Sequence, residues 1–402
     1  MNSFADELNR RLTTLREQNL FRDLRRMNSA QGAHIRIGDK AFLNFSSNDY
    51  LGLASHPALK AAAIKAVEKF GAGAGASRLI CGSLAPFHEL EEALAAFKKT
   101  EAALTFSTGY AAAVGVITAL CGKDDIIILD KLVHACIVDG AKLSGAKLRV
   151  FAHNDLNDLE DKLKWATSAA RHSSLVTRHI LIVTESIFSM DGDAAPLREI
   201  VALKEKHGAW LMVDEAHATG ILGRHGRGLA DKLGVGGQIE IQMGTLGKAL
   251  GAAGGYICGS RALIDYLVNR ARSFIFSTAP VPAAAAAATA GIQLMQSAEG
   301  ETRRENLFAR VAELDSKLKI QNSKLRSAIA PLILGDEARA VAAATSLREQ
   351  NIFVPAIRYP TVARGAARLR ITLTAAHTAA DVAALTHALG NLKSEISNLK
   401  SP

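Results

Sequence analysis

Val213-Asp214-Glu215-Ala216-His217 and Gly244-Thr245-Leu246-Gly247-Lys248-Ala249-Leu250-Gly251 decide the reading of this chain. The first ends an apolar strand on a carboxylate and an imidazole. The second sets one lysine among small residues. A lysine that condenses with an aldehyde cofactor must present a free amine near neutral pH, which partial desolvation favours, and small neighbours leave room for a flat ring. A carboxylate at the end of a buried strand pairs with a pyridinium nitrogen and keeps it protonated, which makes the ring an electron sink. Asp214, His217 and Lys248 together therefore point to a pyridoxal phosphate site.

Working outward, short apolar runs alternate with helical stretches from residue 45 to about 280: Ile126-Ile127-Ile128-Leu129, Ile180-Leu181-Ile182-Val183, Trp210-Leu211-Met212-Val213 and Tyr256-Ile257-Cys258. Continuous apolar runs of this length predict a mostly parallel sheet covered on both faces. The polar residues fall just after the runs, where such sheets place ligands. Before this region, Phe4 to Leu24 carries an amphipathic helical pattern, followed by the break Ser29-Ala30-Gln31-Gly32. After it come an alanine-rich helix from Ala283, strands at Leu332-Ile333-Leu334, Ile352-Phe353-Val354 and Leu369 to Leu373, and a last helix capped by Thr378. The expected organisation is an arm over 1–44, a large α/β domain over 45–285 and a small α+β domain over 286–402.

Composition narrows the function classes. At 402 residues the chain exceeds one comfortable core, and 49% hydrophobic residues supply a large one. The run Pro280 to Met295 is too alanine-rich for a membrane span, and the first thirty residues have no apolar core of a signal peptide, so the cytoplasm is the expected compartment. Cys81, Cys121, Cys136 and Cys258 have neither metal-ligand nor redox spacing, so no metal is expected. The formal charge of +9 comes from scattered Lys and Arg without aromatic interleaving, which argues against nucleic acid and leaves a weakly basic surface or, as the sharper reading, one that meets an acidic acyl carrier or the phosphates of coenzyme A.

Further residues fit the same chemistry. Ser107-Thr108-Gly109-Tyr110 precedes Ala111-Ala112-Ala113, and a glycine at a helix start offers N–H donors to a phosphate, although the same signal marks ordinary helix starts. The Thr245 hydroxyl would point to the same phosphate or cap a helix. His134, after the run 126–129 and its turn, is placed to stack on a ring, and His217 to reach its phenolic oxygen. Gly71-Ala72-Gly73-Ala74-Gly75-Ala76-Ser77-Arg78 lacks a preceding strand and dinucleotide spacing, so it reads as a loop lining a site or a subunit contact.

The chain resembles the α-oxoamine synthases, pyridoxal phosphate enzymes of fold type I. The resemblance runs from Asn44-Phe45-Ser46-Ser47-Asn48-Asp49-Tyr50-Leu51-Gly52-Leu53 through the glycine-rich loop, Phe188-Ser189-Met190-Asp191-Gly192-Asp193, the Asp214 and Lys248 segments, to Arg358-Tyr359-Pro360-Thr361-Val362. It implies a homodimer in which Lys248 carries the cofactor, Asp214 pairs with its ring nitrogen, His134 stacks on it and His217 bonds its phenolic oxygen. Gly109, Tyr110, Thr245 and Ser189 match cofactor contacts, and Thr278 matches one made to the partner subunit's phosphate. Arg358, Asn48, Thr361, His134 and either Arg25 or Arg26 match substrate positions. Arg272 to Ala279 and Val354 to Arg358 look like the members that condense L-alanine with a pimeloyl thioester, carried on coenzyme A or an acyl carrier protein. The alternatives are a glycine-using sister that takes an acetyl group and a non-catalytic cofactor-binding protein. Ala218, Leu246 and Tyr110 depart from the commoner glycine and phenylalanines without removing a reacting group.

Overall fold

The computed structural model describes residues 3–171, 179–318 and 327–398. The chain divides into two compact units, one of Met1–Gly52, Met190–Gly192 and Glu305–Pro402 and the other of Leu53–Ser189 and Asp193–Arg304.

The first unit opens with the helix Phe4–Glu17, started by a capping box in which Ser3 and Asp6 bond each other's backbone N–H. The amphipathic pattern extends to Leu24, but the helix stops at Glu17. Asn19 adopts φ 56°, and the N–H groups of Leu20 and Phe21 both turn back to the Leu15 carbonyl. A left-handed residue of this kind ends a helix whatever the hydrophobic pattern beyond it. Strands β1 (His34–Ile37) and β2 (Lys40–Asn44) then form an antiparallel hairpin.

The second unit is built on β3 (Ala102–Phe106), β4 (Ile126–Asp130), β5 (Lys147–Phe151), β6 (Ile180–Glu185), β7 (Trp210–Asp214), β8 (Ile241–Thr245) and β9 (Gly255–Gly259). They form one sheet in the order β3-β9-β8-β7-β6-β4-β5. All run the same way except β9, which is antiparallel to both β3 and β8. Every residue of β3, β4, β6 and β9 is buried, which is why these segments read as unbroken apolar runs rather than alternating ones. Val116 and Ile117 of the helix Gly109–Leu120 share a core with Ile127, Leu129, Leu181, Val183 and Met212. The alanine-rich helix is Pro282–Met295, and it packs on the helices Pro57–Phe70 and Ala85–Lys98. The parallel direction matters for chemistry: Asp130, Glu185, Asp214 and Thr245 are the last residues of β4, β6, β7 and β8, so four polar side chains share the sheet's carboxyl edge.

The remainder of the first unit contributes β10 (Ile329–Gly335), β11 (Ile352–Phe353), β12 (Ala356–Ile357) and β13 (Ala367–Thr372). β10, β13 and β12 make an antiparallel sheet, while β11 adds to β2 in parallel. The last helix, Ala379–Asn398, starts at Thr378, whose hydroxyl accepts the Asp381 N–H while Asp381 accepts the Thr378 N–H at 2.7 Å. No helix among the described residues is long and apolar enough to cross a membrane.

Candidate active site

Three of the sequence-selected residues meet at the end of β7. Lys248 Nζ lies 2.7 Å from His217 Nε2. Asp214 is 5% exposed, and its Oδ1 accepts the Ala216 N–H at 2.8 Å, which fixes the carboxylate against its own turn. Burial raises the Asp214 carboxyl above its ordinary range, while Lys248, the Ala216 N–H and His134 pull it back towards the anion. The next residue, Glu215, is fully buried and ion-paired with Lys98 of the helix Ala85–Lys98, which is 1% exposed. Glu215 also accepts the Ala230 N–H at 2.9 Å. This buried pair anchors the turn that carries Asp214 and His217 from behind.

The helix Gly109–Leu120 begins beside the Lys248 segment. Thr108 is its cap and accepts the Ala111 N–H at 3.0 Å. The first N–H groups of a helix have no partner within it, so those of Gly109 and Tyr110 are donors for an anion. A Cβ on Gly109 would sit 3.7 Å from Thr245 Cβ, which puts the helix start and the threonine side by side. Gly255 makes the approach possible, because a Cβ there would stand 2.6 Å from the Gly109 nitrogen. The Thr245 hydroxyl donates to the Gly254 carbonyl at 3.0 Å and accepts the Gly247 N–H at 3.2 Å, so it also orders the turn leading to Lys248.

His134 caps the helix Ala135–Ser144, its Nδ1 accepting the Cys136 N–H at 3.2 Å. Loss of water lowers its pKa, Asp214 opposes the shift and Lys248 adds to it, so the ring is held towards the neutral form suited to stacking. Ser189 is buried and its N–H donates to Glu185 Oε2 at 3.2 Å. Thr278 is exposed in a segment bridged to Ser77, next to a bond from the Ala279 N–H to the Ala76 carbonyl. The glycine-rich loop is thereby tied to the loop that carries Thr278.

These residues fit a pyridoxal phosphate: a lysine within hydrogen-bond reach of an imidazole, a buried strand-end carboxylate, and a glycine-opened helix start. When bound, that group supplies an electron sink for a carbanion next to its attachment point.

One histidine that the sequence reading passed over organises the same edge. His153 Nδ1 lies 2.9 Å from Asp130 Oδ1 and its Nε2 2.8 Å from Asp193 Oδ2, with the Phe188 ring edge-on at 4.3 Å. Burial alone would lower its pKa, but hydrogen bonds and charge from the two carboxylates outweigh that and raise it to about 10. His153 thus clamps the turn before His134 to the loop after Ser189. Its folded pKa exceeds the unfolded value of about 6.5, so its stabilisation is fully present below about pH 6.5 and fades as pH rises through 10. His153→Asn is expected to melt a few degrees below wild type in mildly acid buffer, and the gap is expected to close in alkaline buffer; melting curves across this range check it.

The other candidates lie in the first unit. Arg358 donates from Nη1 to the Asn19 carbonyl and from Nη2 to the Phe21 carbonyl, the latter at 3.2 Å, while its buried Nε has no partner among the described residues. Burial and the neighbouring Arg22 and Arg25 lower its pKa, with Glu337 opposing. A cavity of about 410 Å³ opens here, with Arg22, Arg25, Arg348 and Arg358 set around Phe21, Val354 and Ile357. Of the two N-terminal arginines left open by the sequence, Arg25 lines this cavity and Arg26 is not among its lining residues. The Thr361 N–H donates to the Arg358 carbonyl at 3.0 Å. Asn48 sits apart from them, its Oδ1 accepting from Arg370 Nη1 at 3.0 Å.

Residues 40–389 match the family described as aminotransferase class I and II. The chain is 49% identical over 380 residues to an 8-amino-7-oxononanoate synthase of Anaeromyxobacter dehalogenans, covering 94% of this chain and 93% of that one. Among solved structures, a serine palmitoyltransferase from S. paucimobilis superposes with a TM-score of 0.89 at 30% identity, covering 98% of both chains. An 8-amino-7-oxononanoate synthase from Francisella tularensis gives 0.72 at 29% identity, covering 89% of this chain and 98% of that one. The chain belongs to the aminotransferase class I and II family and, within its fold type I enzymes, to the 8-amino-7-oxononanoate synthases.

Proposed function

We infer that this protein is a pyridoxal phosphate-dependent C-acyltransferase that condenses L-alanine with a pimeloyl thioester to give 8-amino-7-oxononanoate, carbon dioxide and the free thiol, a step towards biotin. The observation that carries the reading is the meeting of Lys248, His217 and buried Asp214 in a chain 49% identical to a synthase of that name. Asp214 would pair with the cofactor's ring nitrogen, and the N–H groups of Gly109 and Tyr110 would hold its phosphate together with Thr245. His134 would stack on the ring. His217 would bond its phenolic oxygen, and Ser189 would make a further cofactor contact.

The Lys248 amine is the base that takes the proton from Cα of alanine, and His217, 2.7 Å away, steadies the amine as it gains charge. The carbanion then attacks the thioester carbonyl, the thiol leaves, and the β-keto acid loses its carboxyl carbon as carbon dioxide before Cα is reprotonated. Arg358 is assigned to the amino-acid carboxylate, and Arg25, Asn48 and Thr361 to the rest of the substrate. A cytoplasmic homodimer is the proposed assembly, with the Thr278 segment and the glycine-rich loop at the contact. The basic surface suits either coenzyme A or an acidic carrier protein as donor.

The TM-score of 0.89 with a serine palmitoyltransferase favours one second reading, a sister synthase with another amino acid and a longer acyl chain. Titrating the cofactor-loaded protein with L-alanine, glycine and L-serine while following its visible absorbance separates the two. L-Alanine is expected to saturate the change at a concentration about 10-fold or more below the others, the discrimination that one methyl-sized difference supplies. Saturation by glycine or serine first would overturn the alanine assignment.

A further inference from the structure

The carboxyl edge holds a second buried acid that the reaction above does not use. Glu185 ends β6, and the parallel register sets it directly beside Asp214 at the end of β7, so the two side chains emerge on the same face. Glu185 is 2% exposed and Asp214 5%. Two carboxylates this close in a buried place do not both ionise. Their surroundings decide which one keeps the proton.

Asp214 has the Ala216 N–H on Oδ1, and Lys248 and His134 favour its anion. Glu185 Oε2 accepts the Ser189 N–H at 3.2 Å, and the His134 backbone nearby also favours its anion. Its Oε1, however, is buried without a hydrogen-bond partner among the described residues. A negative oxygen there would be desolvated and uncompensated, whereas a hydroxyl costs far less. The titratable groups facing Glu185 are Asp214 from β7, Lys248 from the segment after β8, and His134 and Cys136 from the start of the helix Ala135–Ser144. Among these side chains Lys248 favours its charge, and the cofactor, when bound, would take up that amine. Burial and Asp214 push the Glu185 carboxyl well above the ordinary range.

We propose that Glu185 is a positioning residue of the cofactor site: a neutral carboxylic acid that fixes the Ser189 loop through its backbone N–H and leaves Asp214 the only anion of the pair. The pair then carries a single negative charge, which would match a single pyridinium. The inference rests on the cofactor reading of the site for its consequence, but the protonation itself belongs to the chain alone.

Two variants and two readouts test it. Glu185→Gln keeps shape and neutrality, and Glu185→Ala removes the acceptor of the buried Ser189 N–H. Infrared difference spectra of the cofactor-free protein near neutral pH are expected to show a protonated-carboxyl stretch that is lost in Glu185→Gln and retained in Asp214→Asn. Equilibrium binding of pyridoxal phosphate is expected to stay within about twofold of wild type in Glu185→Gln and to weaken about 10-fold or more in Glu185→Ala. No such stretch in wild type, equal losses in both variants, or an unchanged Glu185→Ala would each overturn the proposal. Failure of the wild type to bind pyridoxal phosphate would instead sink the cofactor reading, with the infrared result still deciding the state of Glu185.

Discussion

Lys248→Ala is expected to lower turnover by at least about a thousandfold and to abolish the visible band of the protein-bound cofactor. The substitution removes two functions at one atom. In the proposed function Nζ is both the attachment point for the cofactor and the amine that moves the Cα proton, and it lies 2.7 Å from His217 Nε2. Folding should be spared, because Lys248 is only half-buried and lies in a turn organised by Thr245 and by the bond from the Gly251 N–H to the Lys248 carbonyl. Borohydride treatment followed by peptide mapping gives the direct check: the cofactor should be fixed on the peptide bearing Lys248 in wild type and on no peptide in the variant. A variant that still traps cofactor on another lysine would show that the attachment point was misassigned.

Asp214→Asn is expected to cut kcat by about 10²–10³-fold, the cost typical of removing one preorganised electrostatic partner from a reacting group. An amide of the same shape still fits the turn and still accepts the Ala216 N–H, so the loss reports charge rather than packing. Without the anion, a pyridinium proton is no longer held and the ring withdraws electrons less strongly. Cofactor affinity should fall as well, and pre-steady-state kinetics should place the defect in Cα proton removal. Glu185 should keep its proton in this variant, because burial, the larger cause of its raised pKa, is unchanged and only the lesser one, the Asp214 charge, is removed. A variant with unchanged kcat would show that Asp214 does not face the ring nitrogen.

The parts of this fold that were legible in the sequence are those with local causes. Ile126–Asp130, Ile180–Glu185 and Trp210–Asp214 announced themselves because strands buried on both faces need unbroken β-branched and leucine runs. Thr378 was readable as a cap because its partner, Asp381, lies three residues on. The Asp214, His217 and Lys248 constellation was readable because the first two stand at the end of an apolar run and the lysine stands among small residues. Strand direction was not: Tyr256-Ile257-Cys258 looks like its neighbours, yet β9 runs antiparallel, since an apolar run encodes burial and not polarity. The end of the first helix was set by Asn19 in the left-handed region, a weaker signal than the hydrophobic period that ran past it.

The buried acids and their partners were the larger omission. Glu185 follows Ile180 to Thr184 with no motif of its own, and a lone glutamate at a strand end gives no sign that it will face Asp214 until the register of β6 on β7 is known. The Lys98 and Glu215 pair and the His153 clamp likewise join residues far apart in the chain. In each case the clue is a charged side chain next to an apolar run, which most often means only a solvated strand end. Tertiary placement is what turns these residues into supports for the site.

The most direct test of the account is identification of the product formed from L-alanine labelled at its carboxyl carbon and a pimeloyl thioester. The expected products are 8-amino-7-oxononanoate without the label, carbon dioxide carrying it, and one free thiol per turnover. A product that retains the labelled carboxyl, or condensation with glycine or serine but not with alanine, would contradict it.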